Sequence, residues 1–306
     1  MPDTAPRVSL GVPLYNAERY LEGCLDALLA QDHPDFEIVV SDNASTDRTW
    51  RICRAYAARD DRIRLYRNPR NLGGHVNYTK VVELARGELF KWVAYDDICL
   101  PGFVSACVAA LDAAGPRAVL AYPRTLLIDG SGEPIGPYPD RLGCADPRPW
   151  RRVAQVARYL SLCHAHFGVF RIATLRRTRL IRPFLSSDYS FVAEVAALGE
   201  IHEVPQQLFL RRLHVASTRQ SPTGTLADAV SWFAPEGRRV LAPRLRMLAE
   251  TLRTLATADV DPATRLSCAL AFAATWGTRR VRVHTGRWRR QLTGRPTSAP
   301  FGGGGR

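Results

Sequence analysis

Residues Phe90–Pro101 read FKWVAYDDICLP, and this stretch predicts a buried strand that ends at a chemical site. The run Leu89–Val93 is short, apolar and aromatic, which favours a strand over a helix. Asp96 and Asp97 follow that strand directly. Because ligands of open α/β sheets bind beyond the carboxyl ends of the strands, we expect both carboxylates to face a ligand crevice.

The two adjacent acids allow two interpretations. Like charges side by side need a compensating cation or hydrogen-bond donors, and Mg²⁺ or Mn²⁺ binds one or two carboxylates together with substrate phosphate oxygens. The alternative is structural. Leu100-Pro101 opens a helix at Phe103, so Asp97 would only lead into the first turn of that helix.

The chain before this stretch alternates between strands and helices. Strands are predicted at Val8–Val12, Glu37–Ser41 and Ile63–Tyr66, and the helices between them at Arg19–Ala30, up to Ala58, and at His75–Ala85. This alternation predicts the α/β class, with a mostly parallel sheet flanked by helices. No G-x-G-x-x-G follows the first strand and no G-x-x-x-x-G-K-[ST] occurs, which argues against a dinucleotide-binding or P-loop fold.

Polar residues follow the earlier strands as well. The second strand ends at Asp42, and either Ser45 or Thr46 is expected to cap the next helix, with Asp47 favouring its dipole. Capping leaves Asp42 unexplained, because it lies too early in the chain. The loop 67–74 ends in two glycines, which permit close approach to a ligand.

Four motifs occur in a fixed order: V-P-x-Y-N after the first strand, S-D-N-A-S-T-D after the second, N-L-G-G before the third helix, and Y-D-D after the fourth strand. In this order the chain resembles the inverting glycosyltransferases of family 2, which have the GT-A fold, over about residues 7–215. The resemblance implies a nucleotide-sugar donor and Mg²⁺ or Mn²⁺ as cofactor. Many members carry a further Asp where this chain has Ala94, which leaves the exact metal ligation open.

The resemblance also implies roles for individual residues. The nucleotide would be bound by Pro13, Tyr15, Asp42, Arg70, Asn71 and Asp96. The metal ligands would be Asp97, Asp96 and His214. The diphosphate would be approached by Arg211 and Arg212, for which a surface arginine pair is the alternative. The acceptor would be contacted by His164 and His166, for which packing is the alternative.

The resemblance places the catalytic base at the start of a helix that runs through Leu198. Ser186, Ser187 and Asp188 begin that helix, and Asp188 is the predicted base. A helix cap is the alternative for Asp188, and Glu194 is the reserve candidate.

The region between the acid pair and this helix is less regular. A helix Phe103–Ala114 and a strand Ala118–Tyr122 precede a hairpin predicted about Asp129–Gly132. Residues 134–149 are rich in Pro, Gly and charge, which favours a loop over the site. A last strand is predicted at Gln207–Leu210.

Composition restricts the class of protein further. Of 306 residues, 46% are hydrophobic and 23% charged, which is typical of a globular protein. The seven cysteines form no C-x-x-C pair, so neither a zinc site nor a disulfide framework is predicted, and a reducing cytoplasm fits best. We expect neither an export signal nor a membrane span.

The formal net charge of +13 is concentrated in the last quarter of the chain. Residues 234–306 contain 14 Arg and four acids, so they carry +10 and leave +3 for residues 1–233. The resemblance implies a GT-A domain at residues 1–220, with a nucleotide-binding half at about 7–115 and an acceptor half at about 116–220. A helical, Arg-rich extension with a disordered end would follow at 221–306.

The extension has two interpretations. The apolar segment Leu266–Trp276 runs into clustered arginines, so residues 266–290 are expected to contact an anionic membrane at its cytoplasmic face. The alternative is a C-terminal helical cap, with Leu270 and Phe272 packed on the catalytic domain.

The sequence as a whole predicts a metal-dependent inverting glycosyltransferase of the cytoplasm. Its acceptor would be a hydroxyl of a glycan, a lipid-linked or a small molecule, in bacterial cell-envelope polysaccharide or glycoconjugate biosynthesis. The alternatives are a sugar nucleotidyltransferase and a basic nucleic-acid-binding protein, although no nucleic acid partner is expected.

Overall fold

A computed structural model describes residues 5–138, 141–214 and 243–293, with only the backbone described at 243 and 279–293. The elements of the first half are β1 Val8–Leu14, α1 Leu21–Leu29, β2 Phe36–Asp42, α2 Thr49–Ala57, β3 Ile63–Arg67, α3 Gly74–Glu83 and β4 Leu89–Trp92. Those of the second half are β5 Ile98–Cys99, α4 Phe103–Ala114, β6 Ala118–Ile128, β7 Pro134–Tyr138, α5 Pro149–Tyr159, a 3₁₀ helix His164–Phe167, β8 Val169–Arg171, α6 Ile172–Leu175, α7 Ser187–Leu198 and β9 Glu200–Arg212.

The described strands form one mixed sheet in the order β3-β2-β1-β4-β8-β6-β9-β5, with β7 added to β6. The first four strands pair in parallel, as the alternation of strands and helices predicts. The second half introduces antiparallel pairs, because β8 runs against both β4 and β6. Two helix-covered halves are thus joined at β4, the strand that precedes the two acids.

Burial explains why most residues of the first strands are apolar. Every residue of β1, β2 and β4 is buried, since helices cover both faces of a parallel sheet. Lys91 of β4 is one of the charged side chains that these strands bury. Its ammonium group donates to the carbonyl oxygens of Phe167 and Trp92 and lies 4.1 Å from the centre of the Phe103 ring, which satisfies its charge inside the core.

The ends of three parallel strands align at one edge of the sheet. Leu14 of β1 is in register with Asp42 of β2, and Asp42 with Arg67 of β3. The residues that follow each strand therefore meet at one edge, where the sequence motifs place them.

Several local predictions needed correction. Neither Ser45 nor Thr46 caps α2, which begins after Arg48; the Ser45 hydroxyl instead accepts the backbone N–H of Asn16. The predicted loop over residues 134–149 begins with strand β7. Asp97 is no cap either, because α4 follows Gly102 at its N-cap position.

Two helices of the C-terminal extension are described, α8 Pro243–Ala256 and α9 Pro262–Thr293. Both pack on the preceding part of the chain, α8 on α7 and α9 on α5. Phe272 is buried as the packing alternative requires, but Leu270 is 62% exposed, so that alternative is wrong for Leu270. Residues 215–242 and 294–306, including the predicted domain boundary near 220 and the predicted disordered end, lie outside the described residues.

Within the described residues, no helix combines the length and the hydropathy needed to cross a membrane.

Candidate active site

The centre of the site is a buried ion pair between two distant parts of the chain. Asp97 is 2% exposed, and its Oδ2 accepts a hydrogen bond from Nη1 of Arg211 at 2.6 Å. Its Oδ1 accepts the backbone N–H of Arg212 at 2.9 Å. Burial raises the pKa of Asp97, and the Arg211 guanidinium opposes that rise. Both oxygens of Asp97 are thus occupied by donors from the end of β9.

Asp96 faces a different partner. Its Oδ2 lies 3.0 Å from Nε2 of His214, and because an ionised carboxylate only accepts, the histidine donates. Burial alone would raise the pKa of Asp96, but the hydrogen bond from His214 and the charge of Arg211 hold it below its ordinary value. The pKa of Asp96 therefore lies below that of Asp97, for which burial outweighs the effect of Arg211.

Arg212 acts as a brace behind this cluster. Its Nε donates to the Asp96 carbonyl oxygen at 2.9 Å, and its Nη1 to the Asp129 carbonyl oxygen at 3.2 Å. The guanidinium also lies 4.7 Å from the centre of the Tyr20 ring. These contacts fix the turn after β4 against the hairpin that joins β6 to β7. Arg211, not Arg212, places its charge on an acid side chain.

The residues present fit a divalent cation. Asp96 offers a carboxylate and His214 an imidazole, and a cation held by both would take the place of the proton on Nε2, the ring nitrogen that faces Asp96. Mn²⁺ accepts such a mixed set, and Mg²⁺ binds one or two carboxylates with substrate phosphate oxygens. The described residues contain no cluster of three or more His, Cys, Asp or Glu, so the remaining ligands would come from substrate and water. Asp97 is also predicted as a ligand, but donors already occupy both of its oxygens.

The predicted nucleotide-binding residues lie at the aligned ends of β1, β2 and β3. Pro13 is buried within β1, whereas Tyr15 just beyond it is 41% exposed. The Asp42 carboxylate is buried, accepts the backbone N–H of Ser45 at 3.2 Å, and pairs with Nε of Arg67 at 3.0 Å. In this conformation Asp42 holds the turn after β2.

A buried amide network supports the next predicted residues, Arg70 and Asn71, which are both exposed. Asn43 donates from Nδ2 to Oδ1 of Asn71 at 2.7 Å. Its Oδ1 accepts from Nδ2 of Asn68 at 2.9 Å and from the backbone N–H of Leu72 at 3.0 Å. One buried side chain thus determines the shape of the loop that carries Arg70 and Asn71.

The network continues into α3 through Asn77. Its Nδ2 donates to the Ser41 carbonyl oxygen at 2.8 Å, and its Oδ1 accepts the Ser41 hydroxyl at 2.7 Å. Lys80 donates to Oδ1 of Asn68. Since these groups are buried and paired, the loop is attached to the sheet by hydrogen bonds as well as by its chain ends.

Asp188 lies in the first turn of α7, as predicted. The preceding Ser186 has φ of 64°, a left-handed conformation that is uncommon for a residue other than glycine. Phe191, one turn later, packs edge-on against Trp92 with 5.4 Å between ring centres. The start of α7 is therefore held against β4, the strand that carries the acid pair.

The contacts of Glu194, the reserve candidate for the base, indicate a structural role. It is buried, and its Oε2 accepts the backbone N–H of Arg179 at 2.9 Å. Its buried Oε1 has no hydrogen-bond partner within the described chain. Burial raises the pKa of Glu194 to about 7. This carboxyl group secures the segment before α7.

The two histidines predicted to contact an acceptor are buried in aromatic surroundings. His166 stacks on Trp92 with 4.7 Å between ring centres, and the rings of His164 and Tyr138 lie edge to face with 4.4 Å between their centres. Burial and the nearby charge of Lys91 lower the pKa of His166 to about 3, so its ring is neutral. These contacts agree with the packing alternative, and the acceptor role remains a prediction.

The structure brings together five of the residues predicted from sequence: Asp96, Asp97, Arg211, Arg212 and His214. Sequence reasoning missed Tyr20, whose ring lies 5.1 Å from that of His214. Helical periodicity assigns Tyr20 to the apolar face of α1, and no local signal indicates a partner nearly two hundred residues away. Asn43 was missed in the same way.

Comparison with known proteins gives the family. The model of the family described as Glycosyl transferase family 2 matches residues 9–168, more than half of the chain. TuaG of Bacillus subtilis, whose name assigns it provisionally to teichuronic acid biosynthesis as a glycosyltransferase, is 35% identical over 97 residues, which are 32% of this chain and 38% of TuaG. The chain likewise spans 40% or less of the length of several other curated relatives, and 67% of an uncharacterized glycosyltransferase of Haemophilus influenzae that is 25% identical.

Solved structures give the same fold. S. aureus TarS 1–349 in complex with UDP-GlcNAc matches with a TM-score of 0.58 and 17% identity, over 88% of this chain and 72% of that one. The mannosyltransferase PcManGT from Pyrobaculum calidifontis, in complex with GDP-Man and Mn²⁺, matches with a TM-score of 0.52 and 19% identity, over 95% and 82%. The predicted GT-A type of α/β fold is confirmed.

The amide network predicts a contrast between two isosteric substitutions. Asn43→Asp replaces the donor to Asn71 by a carboxylate oxygen, so two acceptors meet in a buried site, and we expect the free energy of unfolding to fall by about 1–3 kcal/mol. Asn71→Asp keeps an acceptor for Asn43 and for the backbone N–H of Gly73, and should change stability little. Urea unfolding measures both. Equal losses in the two variants would contradict the network.

Glu194 predicts a pH-dependent stability difference. Because the native pKa is raised, the folded state binds a proton more tightly than the unfolded chain does, and stability falls as pH rises from about 4.5 through about 7. Glu194→Gln keeps an oxygen for Arg179 and cannot ionise, so its stability relative to wild type should rise across that window. Urea unfolding at pH 5 and pH 8 tests this, with exposed Glu22→Gln as the control. A difference that does not vary with pH would contradict the assignment.

Proposed function

The chain belongs to glycosyl transferase family 2, and on that premise we propose that it is an inverting, metal-dependent glycosyltransferase. It would move a sugar from a nucleotide-sugar donor to a hydroxyl group of a glycan, lipid-linked or small-molecule acceptor. The observation that carries the proposal is the cluster in which Asp96 meets His214 and Asp97 meets Arg211, at the carboxyl end of β4.

The cluster suits a diphosphate because it presents cationic and metal-binding groups together. Arg211 is held in place by Asp97 on one side and lies 5.1 Å from the centre of the Phe167 ring on the other. Burial lowers the pKa of Arg211, but the two acids more than offset this, so its guanidinium stays charged. We propose that Asp96 and His214 hold Mg²⁺ or Mn²⁺, which when bound would stabilise the negative charge of the departing diphosphate.

The donor nucleotide would lie along the aligned ends of β1, β2 and β3. Tyr15, Arg70 and Asn71 are exposed there, and Asn71 still has its amide N–H groups to donate, because Asn43 and Gly73 use only its oxygen. Pro13 and Asp42 would shape the pocket, with Asp42 acting through the turn that it holds. Asp96 would link this half to the diphosphate.

We propose a single displacement for the transfer step. Asp188 takes the proton of the acceptor hydroxyl as that oxygen attacks the anomeric carbon of the sugar. The bond from that carbon to the diphosphate breaks, its electron pair leaves with the nucleoside diphosphate, and the configuration is inverted. The placement of Asp188 at the start of α7, which packs on β4, supports this role.

We place the reaction in the cytoplasm, in the synthesis of bacterial cell-envelope polysaccharide or glycoconjugate. All seven cysteines are free, which agrees with a reducing compartment. The likeness to TuaG supports an envelope glycan, and the nucleotide-sugar complexes of TarS and PcManGT support the donor class.

The C-terminal extension is proposed to meet the inner face of the cell membrane through residues 266–290. Family membership favours sugar transfer over the nucleotidyltransferase and nucleic-acid-binding alternatives.

The two acids predict separable effects on nucleotide binding. Asp96→Asn removes a proposed metal ligand, so UDP or GDP, whichever binds the wild type more tightly, should lose about tenfold or more affinity with Mn²⁺ and little with chelator. Asp97→Asn leaves the guanidinium of Arg211 without its acid, so affinity should fall in both conditions. Isothermal titration calorimetry with Mn²⁺ or EDTA measures the difference.

The outcome also tests the prediction that Asp97 is a metal ligand. If Asp97→Asn loses affinity only in the presence of Mn²⁺, the carboxylate acts on the metal directly and its contact with Arg211 is secondary. If chelator leaves wild-type transfer unchanged, the enzyme does not depend on a metal.

The base predicts a loss in turnover without a loss in donor binding. Asp188→Asn should lower kcat by ~10²- to 10⁴-fold and leave donor affinity near wild type, because the carboxylate acts on the acceptor hydroxyl. Release of nucleoside diphosphate, with an acceptor on which the wild type turns over, gives kcat, and calorimetry gives affinity. A variant that keeps kcat and loses only donor affinity would remove Asp188 from this role.

A further inference from the structure

We propose that the outward face of α9 is a membrane-binding surface whose partner is an anionic lipid bilayer. The inference rests on the proposed function only for its purpose, since it would bring the active site to an acceptor carried by a lipid. The binding itself follows from the geometry and charge of α9.

One face of α9 is attached to the catalytic region. Cys268 and Phe272, one turn apart, are buried in the core that α9 shares with α5 and α7. The segment before α9 is tied to the domain by an ion pair between Arg177 and Asp259 at 2.7 Å. Nε of Arg265 donates to the Ala258 carbonyl oxygen at 2.8 Å. These contacts leave α9 no freedom to turn its opposite face inward.

The opposite face carries exposed leucines. Leu266 and Leu270 are each 62% exposed and lie four residues apart, so they are neighbours on the helix surface. Ala274, four residues further on, is exposed as well. Single exposed leucines are common in proteins, but a row along one helix face indicates a surface that is covered in use.

The helix continues this row beyond the part whose side chains are described. With 3.6 residues per turn, positions 277, 281 and 288 share the face of positions 266, 270 and 274. The sequence has Gly277, Val281 and Trp288 at these positions, and the backbone is helical through Thr293. Val281 and Trp288 therefore continue the apolar character of this face, and Arg280 and His284 lie on it at the same helical spacing.

Charge identifies the occupant of this face. Residues 262–306 contain nine arginines and no Asp, Glu or Lys. Six of the nine lie in the second half of α9, at positions 279, 280, 282, 287, 289 and 290. An apolar row combined with clustered arginines and a tryptophan is typical of helices that lie in the surface of an anionic bilayer.

Two other occupants account for only part of this pattern. A nucleic acid would be attracted by the arginines, but its phosphate backbone would not bury the exposed leucines. A second copy of the chain could cover the leucines, but it would bring two strongly cationic helices together, and like charges repel. A lipid surface satisfies both features at once.

The test is co-sedimentation of the full-length protein with phosphatidylcholine vesicles, with and without phosphatidylglycerol. We expect binding to the phosphatidylglycerol vesicles that weakens as salt is raised. Leu266→Ser with Leu270→Ser should weaken the partition roughly tenfold or more, since it removes the apolar part of the contact. Arg279→Gln with Arg280→Gln and Arg282→Gln should weaken it and flatten its salt dependence.

The chain provides a matched control for the leucine pair. Leu245 in α8 is 57% exposed and lies off the α9 row, so Leu245→Ser makes the same chemical change at a similar exposure. It should leave vesicle binding unchanged. Circular dichroism melting checks that all variants are folded, and calorimetry with UDP or GDP and Mn²⁺ checks that their nucleotide sites are intact.

Three outcomes would overturn the proposal. The first is wild-type binding that does not depend on phosphatidylglycerol, or no binding at all. The second is equal loss in Leu245→Ser and in the α9 pair. The third is a different occupant of this face. Either Leu266→Ser with Leu270→Ser converts a dimer to a monomer without affecting vesicle binding, or RNA binds through the arginines more tightly than vesicles do. Failure of the wild type to bind any nucleoside diphosphate would instead reject the proposed function and leave the vesicle result to stand by itself.

Discussion

The contact between Asp97 and the end of β9 is the interaction on which the rest of the site depends. It joins residues more than a hundred positions apart and lies beside the short pairing in which Ile98 of β5 meets Leu210 of β9. His214 follows Arg212 by two residues, so fixing Arg211 and Arg212 there brings His214 against Asp96. Removing one partner of such a buried pair typically costs about 3–5 kcal/mol, because the other charge remains in the interior. The contact therefore joins the turn after β4 to the end of β9 and positions the other residues of the site.

In this arrangement, two neighbouring acids that look equivalent in sequence have different partners. Asp97 accepts hydrogen bonds from Arg211 and Arg212 on its two oxygens, whereas Asp96 lies beside the imidazole of His214. Successive residues after a strand point in different directions, so the Asp97 side chain enters the core and the Asp96 side chain lies against His214. The Y-D-D motif predicts acid chemistry here, but only the fold distinguishes the two roles.

Much of the fold could be predicted from the sequence, because strand ends and helix periods are local signals. The alternation up to β4, the helix Phe103–Ala114 and the start of α7 before Asp188 all rest on such signals. The order of strands in the second half could not be read in this way, since β8 enters between β4 and β6 through a three-residue strand.

The partners of the site residues were beyond sequence reasoning for a related reason. Asn43, Asn68 and Asn77 each have an ordinary local interpretation, as a turn, a loop or a polar helix position. Their burial in one hydrogen-bonded network is a property of three strand ends brought into register. A pattern in one segment cannot reveal a contact whose other half is set by the sheet.

Strained backbone conformations occur next to the same residues. Among the described residues, five other than glycine have positive φ, and four of them stand at the elements that carry predicted site residues: Asn16 after β1, Ala44 after β2, Cys163 before His164, and Ser186 before Asp188. A residue held in such a conformation costs of order 1–3 kcal/mol, and it persists only where the surroundings over-determine it. At Ala44 the surroundings are visible, because the Asp42 carboxylate accepts the backbone N–H of Ser45 on one side and Asn43 is fixed by its network on the other. The buried polar contacts of this protein thus hold backbone that would otherwise relax, and they do so beside the residues that we propose to bind substrate.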